Sequence, residues 1–268
     1  MKNFLPFIIA VGGIFGCQME EKPKKVDNRE NATGNKIQYA PTYVVDQNLK
    51  WMDRVNSNSD SLQILYTPNA IKINQQGEIF RGPTVIADRV RSNNFMVDSI
   101  FSSEVVMANS SNTYEYEIGH FWTSNNKSYD HLIIWNLGSK PKQRELEFIA
   151  ESTSTKAYLE EINNRRADWM TICNNHNAKK LVEHLYTDNA IYYNHKPPMV
   201  GKTMITQEYQ YMNKDDYQLM LEPIFFQSVT NELAFEIGQC SGNYNGKYIL
   251  IWQKNAIGEW RILMDSNI

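Results

Sequence analysis

Hydrophobic positions along the chain follow a helical spacing and then an alternating one, and this succession occurs twice. A first helix ends near Asn58 in one run and near Asn175 in the other. A short second helix gathers the apolar residues of Leu62 to Tyr66, or Leu181 to Tyr186, on one face. Short strands follow over Asn69 to Asn74 and Asn189 to His195, and Gly82 or Gly201 opens a third helix reaching about Ser92 or Asn213. Four longer strands close each run: 96–109, 113–123, 129–137 and 144–151 in the first, then 217–229, 232–242, 246–254 and 259–266 in the second. Turn residues such as Asn243 to Gly246 and Ala256-Ile257-Gly258 separate them. Helices followed by a long antiparallel sheet predict an α+β layer pair.

The repetition is visible in the residues themselves. Ile64 to Ile71 matches His184 to Ile191 at six of eight positions, 120 residues apart. Trp51-Met52 corresponds to Trp169-Met170, Glu117-Ile118-Gly119 to Glu236-Ile237-Gly238, and Ile134-Trp135 to Ile251-Trp252. Two copies of about 110 residues are tandem domains, because a solenoid has shorter and more numerous units. We place them at 43–152 and 156–268.

The first sixteen residues break this pattern. A lone Lys2 precedes an apolar run from Phe4 to Phe15, which is shorter than the ~20 residues a membrane-spanning helix needs. Residues 1–16 therefore read as an export signal. Gly16-Cys17 at its end resembles the bacterial lipoprotein signal, in which cleavage before the cysteine is coupled to lipidation of its thiol. The box Ile14-Phe15-Gly16-Cys17 departs from the common Leu-Ala-Gly-Cys at two positions, and an ordinary cleaved signal is the alternative. Residues 18–42 carry nine charges and two prolines with few apolar side chains, the composition of a tether, so Cys17 with 18–42 is assigned as lipid anchor and linker. The expected location is a bacterial membrane, on its periplasmic side or at the cell surface.

Composition narrows the functional classes. Lys and Arg number 27 against 30 Asp and Glu, a net charge of −3 that disfavours nucleic acid as partner. Fifteen Tyr, eleven Phe and six Trp suit a twisted sheet or a ring-lined pocket. Cys173 and Cys240 stand where the other copy has Val55 and Phe121, which favours buried apolar positions over a staple. His176, His184 and His195 match no compact zinc spacing, so neither metal nor cofactor is assigned. No nucleophile elbow, phosphate loop or dinucleotide fingerprint occurs.

The Leu-Tyr-Thr-Asp-Asn-Ala-Ile turn, the glycine before the third helix, Leu233 to Gly238 and the closing Gly258-Glu259-Trp260-Arg261-Ile262 together resemble the nuclear-transport-factor-2-like superfamily, in its SnoaL-like and ketosteroid-isomerase-like branch. The resemblance covers about 45–150 and 157–268, with Leu146 in place of the final Trp in the first copy. It implies two cone-shaped domains, each with three helices packed on a curved antiparallel sheet, and a contact through the sheets' outer faces, within the chain or in a homodimer. Isomerases of this family use an aspartate at the end of the first strand as base. Those positions here are Asn74 and Asn194, which cannot take a proton near neutral pH. The family's hydroxyl donor falls near Lys50 and Met170, and its carboxylic-acid donor on Ile133 and Leu250.

Strand alternation places Tyr116, Ile118, His120 and Trp122 on one face, and His131, Ile133 and Trp135 together on the next strand. The resemblance points both faces into the cone. His120 and His131 are then candidate acid and base, or two histidines satisfied in a polar core. The second pocket is expected to be lined by Tyr192, Asn194, Gln239, Tyr248 and Trp252. Glu117 and Glu236 alternate to the outer face, while Glu151 and Asp265 read as equivalent anchors of the last strand. The leading expectation is non-catalytic binding of a small hydrophobic or aromatic molecule. A lyase, isomerase or cyclase using pocket His or Tyr, and an interaction scaffold with filled cones, are the alternatives.

Overall fold

The computed structural model describes residues 40–268, apart from 110, 112, 195 and 196. The expected export signal, Cys17 and most of the expected tether lie outside the described residues, as does His195. No helix among the described residues is long and apolar enough to cross a membrane.

The first half opens with α1 (Thr42–Asn56), whose buried Val44, Gln47, Asn48, Trp51 and Val55 recur at helical spacing and turn one face to the sheet. A 3-10 turn (Asp60–Leu65) replaces the expected second α-helix and leads into β1 (Tyr66–Ile73). A short β2 (Ile79–Arg81), not expected from the sequence, pairs back on β1. Gly82, at φ 84, then turns the chain into α2 (Pro83–Arg91), with Pro83 at its first turn. Four long strands follow: β3 (Val97–Met107), β4 (Tyr114–Thr123), β5 (Ser128–Asn136) and β6 (Gln143–Glu151).

The second half repeats this order with α3 (Leu159–Asn174), α4 (Ala178–Leu185), β7 (Tyr186–Tyr193), β8 (Met199–Val200) and α5 (Lys202–Glu208). A 3-10 turn over Tyr209–Asn213 precedes β9 (Leu219–Ser228), β10 (Leu233–Gly242), β11 (Gly246–Lys254) and β12 (Trp260–Ser266). The strand orders are identical, β2-β1-β6-β5-β4-β3 and β8-β7-β12-β11-β10-β9. The α+β class and doubled architecture are therefore as expected, with one correction. The sheets are mixed, because β1 runs parallel to β6 and β7 parallel to β12. A connection through four strands returns the chain beside its first strand in the same direction.

Each sheet carries helices on one face and the other sheet on its opposite face. Ile71, Leu132, Phe148, Ile191, Phe235 and Ile251 belong to one buried cluster spanning both halves. The rings of Phe148 and Phe235 meet edge to face at 5.5 Å. Polar contacts cross the junction as well. Tyr193 Oη donates to Glu145 Oε1 at 2.8 Å, and Tyr116 Oη accepts from the Ile268 amide at 3.0 Å. The β1–β2 turn is pinned to the second half, with Asn189 Nδ2 donating to the Gln76 carbonyl and Gln253 Nε2 to that of Gln75. Cys173 and Cys240 are free and buried.

Candidate functional site

The helix-covered face of each sheet holds two carboxylates at matching depths. Trp51 Nε1 donates to Tyr66 Oη at 3.0 Å, and Tyr66 Oη to Glu147 Oε2 at 2.9 Å. The second half repeats the relay: Trp169 Nε1 to Tyr186 Oη at 3.3 Å, then Tyr186 Oη to Asp265 Oδ2 at 2.7 Å. Pairing confirms the equivalence, since Glu147 faces Lys72 on β1 and Asp265 faces Tyr192 on β7. Asp265 thus corresponds to Glu147 and not to Glu151. Leu146 likewise stands in register with Met264, opposite Ile71 and Ile191, and not with Trp260.

In the first cone both carboxylates are engaged. Lys72 Nζ donates to Glu147 Oε1 at 2.7 Å with both side chains buried, and Arg144 Nη1 donates to Oε2. Burial alone pushes the Glu147 carboxyl up, but the charges of Lys72 and Arg144 and the hydrogen bonds from Lys72 and Tyr66 bring it down to about 2. Glu117 accepts from Asn48 Nδ2 at 2.7 Å, Ser102 Oγ at 2.5 Å and Trp135 Nε1 at 2.6 Å, with His131 Nε2 at 3.2 Å. Burial opposes its ionisation too, and the His131 contact, Ser102 and Arg144 outweigh it and lower the carboxyl. Arg144 also bridges to Asn48 Oδ1 at 2.8 Å and lies 4.7 Å from the Trp51 ring. The network ties α1 to the sheet.

In the second cone the charges are redistributed. Arg166, one turn before Trp169 on α3, grips both oxygens of Glu236 at 2.7 Å. Tyr248 Oη and Trp252 Nε1 complete that carboxylate at 2.6 and 2.9 Å. Among the described residues, the Asp265 side chain accepts only from the hydroxyls of Tyr186 and Tyr209, both on Oδ2. Burial pushes its carboxyl up, and those two hydrogen bonds only partly offset it. A cavity of about 30 Å³ lies beside it, walled by Tyr209, Tyr211, Tyr217, Tyr244, Tyr248 and Trp169.

A larger cleft, about 330 Å³, opens at the mouth of the first cone. Phe80, Phe95, Tyr129 and Ile149 give it an apolar floor, and Lys72, Asn74, Gln76, Arg89 and Asn93 supply polar groups. Arg89 lies over the Phe80 ring at 5.1 Å. Asn74 is committed to the β1–β2 turn: its Oδ1 accepts from the amides of Gln76 at 3.0 Å and Glu78 at 2.9 Å. Its counterpart Asn194 directly follows β7, beside the undescribed 195 and 196.

Several expected site residues need correction. His120 and His131 lie on opposite faces of the sheet, because β4–β5 pairing sets His131 opposite Gly119 and His120 opposite Asp130. His131 reaches the cone only because Gly119 lacks a side chain; a Cβ there would sit 2.3 Å from its Nε2. His120 Nδ1 instead meets Asp130 Oδ1 at 2.6 Å, under Phe101 and Trp122 on the outer face. Trp122 is 42% exposed there, and Tyr116 is buried in the intersheet core. Gln239 is also an outer-face residue, donating to the carbonyls of Cys240 and Gly246 and accepting from Lys247. Glu117 and Glu236, expected outside, are fully buried inside. His131, Trp135, Tyr192, Tyr248 and Trp252 do face the helices. Asp265, Arg166, Tyr209 and Tyr211 were missed as site residues. The readable signal was Glu-x-Gly on β4 and β10, where a glycine makes room for a ring from the next strand; a Cβ on Gly238 would meet Tyr248 at 2.1 Å.

No family model and no curated protein matches the chain. Solved structures do, each over about two fifths of the chain. An NTF-2-like protein of unknown function from Shewanella oneidensis is 12% identical with TM-score 0.36, covering 40% of this chain and 96% of its own. A ketosteroid isomerase-like protein from Erwinia carotovora atroseptica is 16% identical with TM-score 0.34, covering 40% and 92%. A putative scytalone dehydratase from Novosphingobium aromaticivorans is 11% identical with TM-score 0.34, covering 40% and 80%.

Proposed function

We propose that this chain is an exported, lipid-anchored binding protein that holds a small aromatic molecule with polar substituents, without turnover, in the cleft at the mouth of its first cone. The cleft carries this reading: its volume of about 330 Å³ falls within the range of small-molecule sites, and its ring floor is edged by amides and cations. Rings seat a planar ligand, and Asn93 and Arg89 orient its hydroxyl or carbonyl groups. Among the described residues, the polar groups of the cleft nearest to a base are engaged. Asn74 is tied into its turn, Lys72 is paired with Glu147, and Glu151 is bridged to Lys127 at 2.9 Å. The anchor rests on Cys17 and the segment around it, and export sets the ligand outside the cytoplasm.

The test is native mass spectrometry of the full chain extracted in detergent from its own host, followed by denaturing release. Wild type is expected to carry an aromatic compound in stoichiometric amount, and Ile149→Trp, which fills the floor, to lose it. A passenger unaffected by Ile149→Trp, or an empty wild type that also fails to bind hydroxylated aromatic probes, overturns the reading.

A further inference from the structure

We propose that the second cone contains a separate binding site for a protonated primary amine, whose ammonium group pairs with Asp265 inside a cage of tyrosines. The site lies in the other half from the aromatic cleft and does not depend on it.

The chain carries its own template for this contact. In the first copy Glu147 receives the Lys72 ammonium at 2.7 Å and the Arg144 guanidinium. The second copy keeps the carboxylate and the Trp–Tyr relay that orients it, but both cations are replaced. Tyr192 occupies the register of Lys72, opposite Asp265, and Ile262 that of Arg144, opposite Trp252. Arg166 is spent on both oxygens of Glu236. Among the described residues no cation reaches Asp265, and its Oδ1 takes no hydrogen bond. Only 6% of the residue is exposed. A buried carboxylate without a countercharge is a costly arrangement that a bound cation relieves.

The space beside it fits that cation. About 30 Å³ is room for one water-sized group, the size of an ammonium head and much less than a ring. Its walls are the π faces and edges of Tyr209, Tyr211, Tyr217 and Tyr244, arranged edge to face at 5.4 Å between Tyr211 and Tyr217 and 6.2 Å between Tyr209 and Tyr211. Aromatic faces attract an ammonium and offer nothing to an anion. Tyr211, Tyr244 and Asn267 are only partly buried, which leaves an exit for the amine's alkyl stem. A hard metal ion finds one carboxylate and one amide here, too few oxygens for its shell, and no metal-binding cluster exists among the described residues.

The experiment is calorimetric titration of the full chain with n-butylamine hydrochloride, with n-butanol and sodium butyrate as neutral and anionic isosteres. The amine is expected to bind at one site, and both isosteres about tenfold more weakly or not at all. Asp265→Asn is expected to weaken the amine by about tenfold or more. Tyr192→Lys, which installs the first copy's ammonium, is expected to abolish binding. Ile149→Trp is expected to leave it unchanged, separating this site from the aromatic cleft. Equal affinity for amine and alcohol, no amine binding at tens of millimolar, or undiminished binding by Asp265→Asn overturns the proposal. The isostere comparison uses only wild-type protein and stands even where a variant does not fold.

Discussion

The two halves of this chain share a strand order, a Trp–Tyr–carboxylate relay and a pair of buried acids, yet they neutralise those acids differently. In the first half the cations sit on the sheet: Lys72 and Arg144 both close on Glu147, leaving Glu117 to His131, Trp135 and two smaller donors. In the second half the cation sits on the helix, where Arg166 closes on Glu236, and Asp265 is left to hydroxyls. One guanidinium thus sits on a strand in the first half and on a helix in the second, where a small cavity lies beside the carboxylate left without it. The fold tolerates both solutions because its stability rests on helix packing and on the intersheet cluster, which the two halves build together. The polar interior is then free to diverge.

The largest expected effect is in that shared cluster. Phe148→Ala removes a fully buried ring that meets Phe235, and is expected to cost about 3–5 kcal/mol in urea denaturation. Both halves are expected to unfold in one transition; two separate transitions would break the idea of a common core. Arg166→Met comes next. It strands Glu236 inside the second cone at a cost of about 3 kcal/mol, whereas Arg144→Met leaves Glu147 its Lys72 partner and costs less. Equal losses in the two variants would contradict the division of cations described above.

Acid titration sharpens the comparison further. The Glu147 carboxyl is held at about 2, below its ordinary 4.5, so its stabilisation is present above 4.5 and is lost as pH falls toward 2. Asp265 is raised above its ordinary 3.8, so its contribution is present below 3.8 and is lost as pH rises through the folded value. Glu147→Gln is therefore expected to flatten the acid limb of the stability curve, and Asp265→Asn to flatten a decline toward neutral pH. Chemical denaturation of each variant from pH 2 to 7 reads both slopes, and slopes of the same sign would refute the assignment. The smallest effects are expected from Gly119→Ala and Gly238→Ala, each crowding a ring from the neighbouring strand at about 1–3 kcal/mol. In melting experiments the Gly238 variant is expected to be no milder than the Gly119 variant, because the Tyr248–Glu236 bond it disturbs, at 2.6 Å, is closer than the His131–Glu117 contact at 3.2 Å.

Much of the fold was legible because turn chemistry is local. The Leu-Tyr-Thr turn, Gly82 and Gly201 ahead of their helices, and the loops between the long strands fix element order without tertiary information. Strand facing was not legible. β4 is buried on both sides along most of its length, by helices on one face and by the second sheet on the other, so Tyr116 and Glu117 look equally interior and alternation gives no orientation. That ambiguity inverted the faces of His120, Trp122 and Glu117. Asp265 reads as the equivalent of Glu151 because both lie at the end of a last strand, whereas β6 runs four residues beyond Glu147 and β12 only one beyond Asp265, so the strand ends are not in register. The missing cation at Asp265 became visible only when pairing aligned it with Glu147.

The central claim is that two equivalent buried carboxylates live under opposite electrostatic constraint. Carboxyl-carbon NMR titration of the full chain, with Glu147→Gln and Asp265→Asn as assignments, tests it most directly. The account predicts that Glu147 titrates near 2 and that Asp265 titrates above the ordinary aspartate range. Both carboxyls titrating at ordinary values, or both shifted in the same direction, would contradict it.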